Sequence, residues 1–199
     1  MPSTGEQQHR KGKEGLEEAK LWLESTTRFV VPFTSWGKAS TLQYVEVPQW
    51  ERNKESFDLF GQHLEENLET RGEFYAEVKR YSTAGTQMAQ YCEFLTRCYS
   101  AMLAWEKIGT PKTPLFLWIT WHPFGATDKY SQLTTETMVK EACDKLPERV
   151  KSEDYDTARA TLLAEQLRLL IVPHKLEDMR MSKDFLGVIR DYATKEGLL

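Results

Sequence analysis

The chain has 199 residues, 40% hydrophobic and 28% charged, which is the balance of a folded globular domain rather than a disordered chain. Its formal net charge of −4 excludes a dedicated non-specific DNA coat protein, which would be strongly basic. Three cysteines are too few for a disulfide scaffold or a four-cysteine zinc or iron–sulfur site, and no apolar run reaches the ~20 residues of a membrane helix. The opening residues lack the apolar centre of a secretory signal, so a cytoplasmic protein with no membrane partner is expected.

Residues 1–12 are polar and read as a disordered arm, leaving 13–199 as a single domain. In "KEGLEEAKLWLESTT", Leu16, Ala19, Trp22 and Leu23 recur at helical spacing and predict a first amphipathic helix. "RFVVPF" is a short strand. Thr34 to Lys54 is rich in Trp, Gly and Pro without a clear period and reads as a long loop or a small insertion. "SFDLFGQHLEENLE" and "GEFYAEVKRYS" predict two adjacent strands. In the second, Phe74, Ala76 and Val78 share one face and Tyr75, Glu77 and Lys79 the other.

A long helix follows, with Met88, Cys92, Leu95 and Tyr99 as one stripe. "TPLFLWITWHPF" predicts an aromatic strand, "TTETMVKEACDKL" a helix, and "DTARATLLAEQLRLLIVPH" a helix passing into a strand around Leu169 to Val172. A closing helix starts at Ser182 and stops at Gly197. The order implies an α/β fold, a three-layer sandwich with a central mixed sheet of four to five strands. A helical extension is expected from about residue 130.

Asp58 is a carboxylate inside an apolar strand, and Glu77 and Lys79, two apart, point to one side of the next strand. Neighbouring strands lie about 4.8 Å apart, so Asp58 and Glu77 can converge on one divalent ion. The ion would offset the cost of burying either acid alone. Lys79 can steady an attacking water or the charge growing on a phosphate. On the following helix, Gln87 and Tyr91 are four apart and share a face.

These residues, Asp58, then Glu77-Val78-Lys79, then Gln87-x-x-x-Tyr91, resemble the PD-(D/E)XK, or restriction-endonuclease-like, nuclease superfamily in its RecB-type branch. The resemblance covers roughly residues 12 to 125, and Phe57 stands where the family's name-giving proline would be. It implies a restriction-endonuclease-like fold, a Mg²⁺ or Mn²⁺ ion and DNA phosphodiester hydrolysis, endonuclease ahead of exonuclease. It also implies the Val78 carbonyl as a further ligand, with a glutamate from the first helix: Glu18, with Glu14 and Glu17 as rivals. Gln87 and Tyr91 would orient the lysine or a phosphate. Such enzymes serve prokaryotic defence or DNA repair. The acidic balance favours a helicase or recognition subunit that brings the DNA, and a homo-oligomer is compatible. The alternative is a catalytically degenerate subunit of a larger nucleic-acid complex.

Other candidates read as structural. His122 and His174 sit at strand ends and are expected to bond backbone. Trp105, Trp118, Trp121, Cys92 and Cys98 are expected in the core.

Overall fold

The chain runs through α1 (Thr4–Ser25), β1 (Phe29–Thr34), α2 (Ala39–Val45), β2 (Glu46–Gln49), β3 (Arg52–Ser56), β4 (Leu59–Leu64), β5 (Arg71–Lys79), α3 (Gln87–Lys107), β6 (Leu115–Thr120), α4 (Tyr130–Leu133), α5 (Glu136–Lys145), a 3-10 turn (Ser152–Asp154), α6 (Thr157–Gln166) and β7 (Leu167–Ile171). The computed structural model describes residues 4–26, 28–37, 39–64, 71–80, 85–124 and 130–172, together with 187, 188, 191, 192, 194 and 195. The closing helix with Ser182 and Gly197, and His174, lie largely outside the described residues.

Five strands form one mixed sheet in the order β1-β4-β5-β6-β7. β4 pairs antiparallel with both β1 and β5, whereas β5–β6 and β6–β7 are parallel. The parallel pairs need crossovers, and α3 and the α4–α6 segment supply them. Strand periodicity then divides the core in two. Phe74, Ala76, Leu59 and Ile119 pack under Leu16, Ala19 and Leu23 of α1. Tyr75, Phe116 and Trp118 pack under Tyr91, Phe94, Leu95, Cys98 and Trp105 of α3, with Val139 of α5 and Leu163 of α6 behind them. The result is the expected three-layer α/β sandwich.

Several expectations are corrected. α1 begins at Thr4, inside the segment expected to be an arm, because its Glu, Gln and Lys residues form helix readily without an apolar stripe. Thr34 to Lys54 holds α2 and a hairpin of β2 and β3. These elements are too short to display a period, and β3 is largely exposed. Val47 anchors the hairpin in the α3 core, and the Trp50 N–H donates to Ser100 Oγ at 2.8 Å. Residues 130–172, expected as an extension, give α5 and α6 to the same core and β7 to the sheet. α3 starts at Gln87, after Gly85 adopts a left-handed φ of 40°.

α1 is pinned to the sheet by a buried carboxylate. Glu24 Oε1 accepts from Val31 N–H at 3.2 Å and from Lys20 Nζ at 2.9 Å, while Lys20 Nζ also donates to the Val31 carbonyl. Among the described residues no helix is long and apolar enough to cross a membrane.

Gly61 on β4 is required by close approach. A Cβ there would sit 2.0 Å from the Val30 carbonyl oxygen and 2.8 Å from the Phe74 ring, and neither the backbone nor the buried ring can yield cheaply. Gly61→Ala is therefore expected to cost about 3 kcal/mol, the upper end for overpacking, measured by urea denaturation.

Candidate active site at the ends of β4 and β5

The register Leu59↔Ala76 sets the site, because one step further on Asp58 comes opposite Glu77. Asp58 lies in a bend ahead of β4 rather than within the strand. Its N–H donates to the Ala76 carbonyl at 2.9 Å, and its Oδ2 accepts from the Val78 N–H at 2.8 Å. Ser35, just past β1, holds the other side: its N–H donates to the Asp58 carbonyl at 2.8 Å, and its Oγ lies 3.4 Å from Oδ1. Phe57 packs between Tyr75, Phe94 and Phe116, so the large ring directly ahead of Asp58 serves the core.

Glu77 is buried, and a cation meets each of its oxygens: Lys79 Nζ lies 2.7 Å from Oε1 and Arg97 Nη1 2.8 Å from Oε2. Arg97 comes from α3. Its Nη1 also donates to the Ser56 carbonyl at 3.1 Å, and its guanidinium lies 5.3 Å from the centre of the Phe57 ring. Its Nε is 3.1 Å from Glu55 Oε2, which sits in a second ion pair with Arg149 at 2.8 Å. Asp58, Glu77, Arg97, Glu55, Ser56, Glu46 and Lys54 line an open polar cleft of about 510 Å³.

The electrostatics follow from this crowding. Burial, and then the neighbouring Glu77 charge, push the Asp58 carboxyl up to about 6, against the Val78 N–H, Lys79 and Arg97. At Glu55 burial also works against the charge, yet Arg149, Arg97 and Arg52 hold it below the usual carboxylate value. Two acids repelling each other across adjacent strands fit a divalent cation, which takes carboxylate and carbonyl oxygens and keeps several waters.

Asp58, Glu77, Val78 and Lys79 are thus brought together. Glu18 is not. Its Oε1 pairs with Arg80 at 3.2 Å, and its neighbour Glu14 reaches the same guanidinium at 3.6 Å. Glu17 is exposed, and among the described residues no three acidic, His or Cys side chains gather closely enough to hold a metal. The reason is local: Gly15 lets α1 lie directly on Arg80, whose side chain a Cβ at residue 15 would meet at 2.8 Å, so the helix acids find an arginine first.

Gln87 and Tyr91 lie over the same sheet face as Glu77, on the first turns of α3. Gln87 is fully buried; its Oε1 accepts from Thr120 Oγ1 at 2.8 Å and its Nε2 donates to the His122 carbonyl at 3.3 Å. Thr120 is the register partner of Lys79, so Gln87 braces the strand end beside the lysine. Tyr91 departs from expectation. Its ring packs on Trp118 and Phe124 and its hydroxyl donates to the Leu133 carbonyl at 2.8 Å. One turn deeper along α3, it serves the core. His122 Nδ1 meets the Pro123 carbonyl at 2.7 Å, a backbone contact as expected.

Sequence reasoning missed Ser35, Glu55 and Arg97. Ser35 fell in the stretch read as a loop or small insertion and Glu55 directly after it, whereas Arg97 carried a signal: a charge between Thr96 and Cys98 in a largely apolar run.

No family model matches the chain, and no curated protein matches it by sequence. Among solved structures, a Moraxella osloensis Cap4 SAVED/CARF-domain containing receptor aligns at a TM-score of 0.37 with 10% identity, over 85% of this chain and 34% of that one. The chain spans about a third of that receptor's length, and the similarity is a loose one.

A carboxyl with a folded pKa near 6 and an ordinary value of 3.8 keeps its proton in the fold where the unfolded chain has lost it. The metal-free protein should therefore lose stability as pH rises from 3.8 to about 6 and change little above that on this account. Asp58→Asn should remove that part of the slope and be more stable than the wild type at pH 7.5, as read by urea denaturation at pH 4.5 and 7.5.

Proposed function

We propose that this chain is a Mg²⁺- or Mn²⁺-dependent deoxyribonuclease of the restriction-endonuclease-like kind. The observation that carries the reading is the pairing of Asp58 with Glu77, with Lys79 Nζ 2.7 Å from the Glu77 carboxylate. A glutamate–lysine pair alone would be a structural salt bridge. A second acid, held opposite by the Val78 N–H and raised to about 6, makes the group costly unless it holds a cation.

In this reading Asp58 and Glu77 bind the ion, with the Val78 carbonyl as a further oxygen. The ion, when bound, supplies activation of a water and neutralisation of phosphate charge. Lys79 holds the attacking water in line and donates to the charge that grows on the phosphorus oxygens. Asp58 is fixed by hydrogen bonds from Val78 and Ser35, and Lys79 by the strand end that Gln87 braces through Thr120. Such preorganisation keeps the reacting groups aligned. The substrate is DNA, delivered by a helicase or recognition partner, in prokaryotic defence or in repair.

One observation favours a second reading, a catalytically degenerate subunit of a nucleic-acid complex: Arg97 already neutralises Glu77. Manganese calorimetry and cleavage of a DNA duplex separate the two. The nuclease reading expects Mn²⁺ binding that Asp58→Ala abolishes and cleavage only with the metal. Lys79→Ala should lower the cleavage rate by ~10²-fold or more while leaving Mn²⁺ affinity largely intact. Absence of Mn²⁺ binding in the wild type would leave the degenerate subunit.

A further inference from the structure

Arg97 stands between two acids with different roles. Its Nη1 lies 2.8 Å from Glu77 Oε2 and its Nε 3.1 Å from Glu55 Oε2, while Phe57 and the Ser56 carbonyl hold the guanidinium in place. Glu77 is one of the proposed metal ligands, and Glu55 is outside that set. A divalent ion coordinating Glu77 meets a carboxylate whose two oxygens already face cations. Lys79 belongs to the same strand two residues on, and moves with Glu77. Arg97 belongs to another element and has Glu55 to stay with when it lets Glu77 go. Arg149 makes two hydrogen bonds of 2.8 Å to Glu55, so that acid is a fixed anchor.

We infer that Arg97 is a resident counter-cation that competes with the divalent ion for Glu77 and, once displaced, stays on Glu55 and turns donors to a phosphate of the bound DNA. The inference rests on the metal-dependent reading above and deepens it by giving the site a built-in gate. The chemistry suits the residue. Arginine keeps its charge whatever its surroundings, so only another cation can relieve Glu77 of it. Its planar fork carries five donors, enough to keep one carboxylate and meet a phosphate oxygen at once. In the metal-free protein the same contact spares Glu77 the cost of a bare buried charge.

The test is Mn²⁺ calorimetry at constant pH on the wild type, Arg97→Met and Glu55→Gln. Arg97→Met keeps an apolar stem close to arginine's aliphatic part and removes the competitor, so Mn²⁺ should bind about tenfold tighter, the worth of one charge-assisted hydrogen bond. Glu55→Gln removes the alternative anchor and leaves Arg97 more firmly on Glu77, so Mn²⁺ should bind several-fold weaker. In a Lys79→Ala background, where cleavage is slowed by ~10²-fold or more, Arg97→Met should also weaken Mn²⁺-dependent binding of a duplex oligonucleotide about tenfold. A purely structural arginine would lower Mn²⁺ affinity on removal, or leave it unchanged, and either result in a cooperatively melting Arg97→Met protein overturns the gate. Should that variant fail to fold, Glu55→Gln decides alone, and unchanged or tighter Mn²⁺ binding overturns the gate. If the wild type binds Mn²⁺ and the variants do not differ from it, only the gate falls. If the wild type does not bind Mn²⁺, the metal-dependent reading falls and the gate with it.

Discussion

Asp58 faces Glu77 because β4 and β5 pair antiparallel in a register that continues one residue past the ladder, and the Val78 N–H then fixes the aspartate through its Oδ2. That juxtaposition of two acids is the constraint the rest of the site answers. Like charges on neighbouring strands repel and resist burial. The chain meets the cost with four groups drawn from three places: Lys79 and the Val78 N–H from β5, Arg97 from α3, and Ser35 just past β1. Each is placed by the layer it belongs to, so the sandwich and the site are one construction.

The sheet's topology explains why the polar cleft opens at this end of the molecule. β5, β6 and β7 run parallel, so their C-terminal ends open at one edge, and the start of β4 and the end of β1 meet them there. Open α/β sheets bind ligands outside the carboxyl ends of their strands. At this edge Lys79, Thr120 and Ile171 end their strands, and Gln87, at the first turn of α3, bonds Thr120 at the end of β6 and the His122 carbonyl just past it. The two sheet faces are used differently. α1 gives Glu14 and Glu18 to Arg80, an anchoring contact, while α3 gives Arg97 to Glu77.

Arg97 illustrates how a core helix reaches a polar site. Most of α3 from Phe94 to Trp105 is buried, so a guanidinium within that run must be paired or expelled. Glu77 and Glu55 pair it, and Phe57 covers one face. The Phe57 ring, directly ahead of Asp58, is thus part of the arginine's seat. The hairpin of β2 and β3 also gains a purpose, since it delivers Glu55 to the cleft.

The layer order, the faces of β5 and the helical stripe of α3 were legible in the amino-acid sequence, because periods of two and about 3.6 are local properties of the chain. The Asp58, Glu77 and Lys79 set was legible for the same reason: each residue interrupts or follows an apolar strand pattern. Tertiary structure decided what spacing cannot carry. Glu18 has the right distance along its helix, but Gly15 seats α1 on Arg80 and spends the acid there. Tyr91 shares a helix face with Gln87, yet one turn of rise takes its hydroxyl to Leu133. Arg97 and Glu55 are 42 residues apart (97 − 55), and only the packing of α3 against the β2–β3 hairpin brings their charges to 3.1 Å. Periodicity fixes the direction in which a side chain leaves its own element, while the partner it meets depends on how the elements dock.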